Sequence, residues 1–378
     1  MAANTQKRQL DMLHGPIWSK IPRFALPVAA TAILEQLFNA SDIAVVGNFT
    51  GAERTAAVAA VGANSSIIGL IVNLFIGIAL DANVVIAHAI GHGDRENVTK
   101  AVHTSILVSV LGGTMVALLG ELAAAPPWTS IWSQSKLRID LTILRRILRI
   151  GLPAGIQSAV FAISNIVIQS AINSPGTVVM AASSAAFNIE IITYDILNAF
   201  SQACTTFVGQ NFCAGELGRC KRTLALCLTE GIITLAAAIA VILFFGKQLP
   251  AIFNSDPKVV STGYIRLVMV MLSHSFSLLY DVMSGYLRGF GISLAPALLT
   301  ILGVCGIRIA WIQFVFPQSR TFQTIMAAYP ISLSVTALLI FAALLYYRRP
   351  GGLPCRKKAN VPPTSGLRKG PCFALCTP

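Results

Sequence analysis

One acid inside an apolar run could do chemistry before any other residue in this sequence. Asp42 stands in LFNASDIAVVG, residues 37–47. At the centre of a bilayer a carboxylate costs about 2.5–3.5 kcal/mol on insertion scales, a cost it sheds by taking a proton or meeting a cation. Proton and cation then compete for one group, which is the physics of an exchange cycle. Glu35 lies seven residues earlier, two turns away on a similar face, and is given a structural role. Glu190, Asp195 and Asp281 are further acids within apolar segments, whereas Asp81 and Glu230 are expected near span ends, in water. The polar residues expected to line a cavity with Asp42 are Gln36, Asn39, Asn165, Glu190 and Asp281.

Other patterns point to no site. His88 and His92 have a spacing that puts both on one helix face and could hold a metal. Gly91 and Gly93 mark a turn there, and no further ligands follow at a usual spacing, so a loop role is expected and no metal. Arg288-Gly289-Phe290-Gly291 lacks the preceding strand of a phosphate loop and reads as a helix end. Of the eight cysteines most lie in apolar runs, and the Cys372/Cys376 pair lacks zinc-site spacing. There is no Walker loop, serine nucleophile motif or dinucleotide fingerprint, so neither an enzyme nor an ATP-driven pump is expected. No cofactor is expected; a proton or sodium gradient would supply the energy, at about 2.3 kcal/mol per charge per 100 mV.

The elements that must position these residues are membrane helices. The 378 residues are 55% hydrophobic and only 11% charged, where a soluble domain carries about 25% charged residues. Mean hydropathy is +0.71. About nine apolar segments follow one another, near 24–49, 55–90, 101–124, 150–172, 177–212, 223–249, 259–287, 293–316 and 323–347, with short turn-forming connectors. They are far too long for barrel strands, so the fold class is an all-α polytopic membrane bundle. The net charge of +13 sits mainly in loops and tails and carries no interleaved aromatics, so no nucleic-acid partner is expected. The N-terminus has no apolar core or cleavage site and does not read as a signal peptide.

An internal repeat divides the chain. Arg23, Leu26 and Pro27 open the first span as Arg149, Leu152 and Pro153 open the fourth, and Asn39 matches Asn165 at the same offset. The match to Asp42 is Ile168, so the repeat does not itself demand the acid. Repeats of like orientation are a transporter architecture. The charge bias makes the same demand. With nine alternating crossings and the N-terminus inside, 17 Lys and Arg fall outside and 9 inside. If an even number of crossings precedes the linker, 22 fall inside and 4 outside, the orientation that membrane insertion favours.

The order of these segments resembles the multidrug and toxic compound extrusion (MATE) family. The resemblance rests on LPVAATAILEQLFNASDIAVVGNFTGAERTAAVAAVG and ANVVIAHAIGHGDRENVTKAVHTSI in the first half. In the second half it rests on ILRIGLPAGIQSA, FVGQNFCAGELGRCKR and SGYLRGFGISLAP. It spans roughly residues 15–348 and implies two pseudo-symmetric lobes around a cavity, with a coupling carboxylate matching Asp42. Against the family's twelve helices, helices four to six of the first lobe are missing, an odd number that agrees with the charge bias. The expected organisation is a cytoplasmic segment 1–20, a three-helix first lobe 21–125, a basic linker 126–149, a six-helix second lobe 150–347 and a basic disordered tail 348–378. The resemblance implies antiport of organic cations or drugs across the bacterial inner (plasma) membrane, with self-association as one way to complete the first lobe. Two rivals stand beside it: a non-transporting remnant or membrane interaction protein, and a lipid-linked oligosaccharide flippase. A flippase cavity should be strongly cationic, yet only Arg266 and Arg308 lie within spans.

Overall fold

The computed structural model describes residues 11–49, 82–124, 141–246, 248–251 and 256–349, and every regular element among them is helical. In chain order they are α1 (Lys20–Phe49), α2 (Ala82–Gly91), α3 (Arg95–Ala124), α4 (Leu141–Asn173), α5 (Thr177–Cys213) and α6 (Leu217–Phe245). There follow the single turn α7 (Gln248–Ala251), then α8 (Pro257–Gly289), α9 (Leu294–Gln318) and α10 (Phe322–Arg348). Among the described residues, α6, α8, α9 and α10 are each long and apolar enough to cross a bilayer.

Local chemistry sets several of the ends. The Asp94 carboxylate accepts the Asn97 N–H at 3.1 Å and caps α3. Asp256 accepts the Lys258 N–H at 2.8 Å before Pro257 opens α8, and Thr321 accepts the Thr324 N–H at 3.2 Å at the start of α10. α8 ends where Gly291 adopts φ 80° and the Ile292 N–H reaches back to the Leu287 carbonyl at 3.1 Å. α4 begins at Leu141 rather than near 150, because residues 141–149 contain good helix formers and no breaker. α9 is not one regular helix: it carries π-helical turns at Ile301–Gly306 and Trp311–Val315. Of the expected segment 55–90, only the part from Ala82 is described; residues 50–81 lie outside the described residues, as do the outer part of the linker (125–140) and the tail from 350.

α5 and α8 form the centre, with α6, α10 and α1 packed around them. Their seam is built on small residues. A Cβ on Gly285 would lie 2.6 Å from the Ser201 carbonyl, and one on Gly289 2.7 Å from Val208 Cγ1. Such seams let helix backbones approach closely in a solvent where apolar burial gives no extra drive. Several hydroxyls in the helices are satisfied within their own helix: those of Thr205, Thr223, Ser273 and Thr336 each donate to the carbonyl four residues earlier.

Helix directions follow from the contacts. α1 lies antiparallel to α5, since Phe24 meets Phe207 edge-on (ring centroids 6.1 Å apart) and Gln36 meets Asp195, an equal step along each helix. α4 joins α5 through the short turn at 174–176 and is also antiparallel to it. The two repeat-opening helices α1 and α4 therefore start at the same end. So does α3, which turns back from α2 through Gly93 (φ 71°) and packs Ala101 against Ala82. α3 and α4 are successive described helices that run parallel. The shared end carries Lys20, Arg23, Arg219, Lys221, Arg222, Arg288 and Arg348, and is read as cytoplasmic.

Candidate functional site at the lobe boundary

α5 presents a polar stripe to the first-lobe helices: Ser184, Asn188, Asp195, Gln202 and Thr206, spaced by fours and sevens and so on one face. At the cytoplasmic half the stripe is covered. Asn83 of α2 donates to Thr206 Oγ1 at 2.9 Å, and Gly91 packs directly on the Gln210 carbonyl. His88 Nε2 lies 2.8 Å from the Gly289 carbonyl at the end of α8. Toward the other end the stripe is open, with Ser184 and Asn188 exposed.

Asp195 sits where cover gives way to opening, about 27 Å along α5 from its cytoplasmic end. The Gln36 side chain hydrogen-bonds the Asp195 carboxylate across the boundary, and the Glu35 carboxylate is close enough to repel it. Oδ2 of Asp195 is buried and has no hydrogen-bond partner. A carboxylate so placed has one oxygen tied to the other lobe and one available to a proton or a cation.

The second lobe handles its interior charges differently. Arg266 grips Glu190 with two N–H groups, Nε reaching Oε2 at 3.1 Å and Nη2 reaching Oε1, while Nη1 bonds the Ser183 hydroxyl. Both partners are buried. The Arg266 guanidinium also stands 5.8 Å from the ring centres of Phe187 and Tyr329, and Arg308 stacks on Tyr329 at 4.4 Å while bonding the Ser332 hydroxyl at 3.1 Å. The pair is neutral overall and closed to solvent.

Of the residues singled out in the sequence, Gln36 is brought to Asp195, which the cavity set omitted; the stripe spacing on α5 is the signal that finds it. Glu190 is held by Arg266. Asp281 lies on α8, with a buried Oδ2 lacking a partner and its backbone carbonyl bonded by Ser201 Oγ at 2.7 Å. Asn165 is exposed on α4. Asn39 and Asp42 are on α1, but their side chains lie outside the described residues. Glu230 corrects the sequence reading: it is in the middle of α6 with a buried, partnerless oxygen, not at a span end in water. The apolar run alone starts at 223, whereas the helix begins at Leu217. His88 and His92 are tied to backbone carbonyls of Gly289 and His88. Among the described residues no group of three or more His, Cys, Asp or Glu could hold a metal ion.

A polytopic helical bundle with a polar boundary between two parallel repeats has the fold of a membrane transporter. Residues 27–143 and 153–312 match the MatE family model, and the chain belongs to that family, a family of transporters and not of enzymes. It is 27% identical over 281 residues to the probable multidrug resistance protein YpnP of Bacillus subtilis, covering 72% of this chain and 60% of that protein. It is 26% identical over 163 residues to the probable multidrug resistance protein NorM of Thermotoga maritima, covering 42% and 34%. The chain thus spans between a third and three-fifths of the length of these relatives. In fold it is similar to a MATE protein crystallised in complex with MaL6 (TM-score 0.75, 15% identity, 89% of this chain and 98% of that one). It is equally similar to an outward-facing multidrug resistance MATE transporter (TM-score 0.75, 16% identity, 89% and 97%).

Proposed function

We propose that this protein is a secondary active antiporter of the bacterial inner membrane, exporting organic cations or drugs in exchange for protons or sodium. The observation that carries this reading is Asp195, a carboxylate half-way along a membrane helix at the lobe boundary, tied to Gln36 on one side and bare on the other. Its charge state bears directly on the contact between lobes, which is what links ion binding to alternating access. Asp42 is proposed as the protonatable switch on the facing helix, with Gln36, Asn39, Asn165 and Asp281 as cavity groups. The names of the relatives support drug export, and the ion gradient is the energy source consistent with a chain lacking an ATP-binding motif.

The test is efflux of a fluorescent organic cation from energised vesicles. Asp42→Asn should abolish efflux, and Asp195→Asn should reduce it and flatten its dependence on the proton gradient. Efflux equal to wild type in both variants removes the carboxylates from the mechanism. The length of the chain relative to its relatives keeps a second reading in play, a non-transporting remnant. Stable insertion with no change in drug accumulation by expressing cells would decide for it.

A further inference from the structure

The segment that leads into α1 is bound to the far side of the lobe boundary. Met12 and Ile17 are buried in the same apolar cluster as Phe207, Phe212 and Cys220 of the second lobe. Above them, Arg219 at the start of α6 makes a three-way grip. Nε donates to Asn211 Oδ1 at 2.9 Å, Nη1 to the Gly15 carbonyl at 3.1 Å and Nη2 to the Met12 carbonyl at 3.2 Å. Asn211 Nδ2 adds a bond to the same Met12 carbonyl at 3.1 Å. Residues 11–19 are also shaped from within. Asp11 Oδ1 accepts the Leu13 N–H at 2.9 Å, and the Lys20 ammonium bonds the Asp11 and His14 carbonyls.

We propose that residues 11–19 are a strap across the cytoplasmic side of the lobe boundary, that Arg219 is its fastener, and that the cytoplasmic entrance opens only when it is released. Three features fit a releasable closure. The acceptors on the strap are all backbone carbonyls, so the fastener's specificity lies in the fork of one guanidinium, not in strap side chains. The grip lies at the water-facing edge, with the Gly15 bond exposed, so water can replace each bond as it breaks. The turn that carries the fastener, between α5 and α6, is sharp and fixed: Gly215 takes φ 83°, and the Glu216 N–H bonds the Asn211 carbonyl at 2.8 Å. Movement of the second lobe therefore carries Arg219 with it, while the strap stays continuous with α1.

The chain supplies its own reporters. Cys220, next to the fastener, is 1% exposed within the apolar cluster that takes in Met12 and Ile17, and its thiol reaches the Val208 carbonyl at 3.6 Å. Cys305 is equally buried, at 1%, but on α9. Inside-out vesicles containing the full chain are treated with a membrane-impermeant maleimide, and labelling of each cysteine is followed by peptide mass spectrometry. Arg219→Ala should label Cys220 about tenfold faster than wild type, the size of a typical coupling between two states, and leave Cys305 unchanged. Arg219→Lys should fall between, because one ammonium cannot fork across two carbonyls and an amide. Ile17→Asp, which evicts the apolar anchor and leaves Arg219 in place, should reproduce the Arg219→Ala result. Unchanged Cys220 labelling in both Arg219→Ala and Ile17→Asp overturns the proposal, as does a joint acceleration of Cys220 and Cys305, which reports general loosening. The readout is accessibility, so it holds whether or not the chain moves a substrate.

Discussion

The Glu190–Arg266 pair inside the second lobe and the Asp195–Gln36 contact at its edge treat a carboxylate in opposite ways. Glu190 has both oxygens bonded by one guanidinium, which is itself tied to Ser183 and flanked by two rings. Asp195 is met by a neutral amide and keeps a bare oxygen. The first arrangement leaves nothing for a ligand to do. Its desolvation cost has been met, and either partner alone would be a stranded charge. The second leaves a charge whose balance must come from outside the protein. Within one helix, α5, burial with a full partner therefore marks scaffold, and burial with a partial one marks the working surface.

The sharpest way to break that contrast is to remove the partner of Glu190. Arg266→Ala should cost about 3–5 kcal/mol, as for other buried pairs that lose one member, read as early loss of monodisperse protein on heating in detergent. The joint change Arg266→Met with Glu190→Leu should recover most of the loss. Wild-type melting of Arg266→Ala would show that Glu190 is not a closed structural charge. Next in size is the scaffold seam. Gly285→Val forces branched atoms against the Ser201 carbonyl and Thr205 hydroxyl, and should cost about 1–3 kcal/mol by overpacking; the same melting assay checks it.

A smaller effect belongs to the start of α3. The N–H of Asn97 holds the Asp94 carboxyl below its ordinary 3.8. A carboxyl lowered in the folded protein adds stability above its ordinary value, and that stability is lost as pH falls through the lowered one. Asp94→Ala should cost about 0.5–1 kcal/mol at neutral pH and remove this acid-side loss, seen as faster hydrogen exchange at the Asn97 amide. The smallest change in stability, below about 0.5 kcal/mol, is expected for Asp195→Asn, since an amide still bonds Gln36. A large loss of stability there would make Asp195 a structural residue like Glu190 and erase the contrast.

The all-helical membrane fold was legible because apolar runs of bilayer length admit little else, and a direction for α4 was expected from Arg145, Arg146 and Arg149, which lie in its first three turns. The site was less so. Arg266 is 76 residues from Glu190, and no local pattern pairs them. Asp195 and Gln36 were each visible as polar residues in apolar runs, but only the antiparallel packing of α1 on α5 makes them neighbours. Glu230 was misplaced because a segment drawn from hydropathy starts where charges stop, while the helix continues through Arg219, Lys221 and Arg222.

α5 is a single beam of 37 residues, about 55 Å long. One side is seated on the glycines of α8; the other bears the boundary stripe. A beam held in this way tilts rather than bends. Pivoting by about 10° at Asp195 would swing its cytoplasmic tip, about 27 Å away, by about 5 Å. That exceeds the reach of any hydrogen bond, so a modest rocking started by charge at mid-membrane is enough to pull Arg219 clear of Met12 and Gly15.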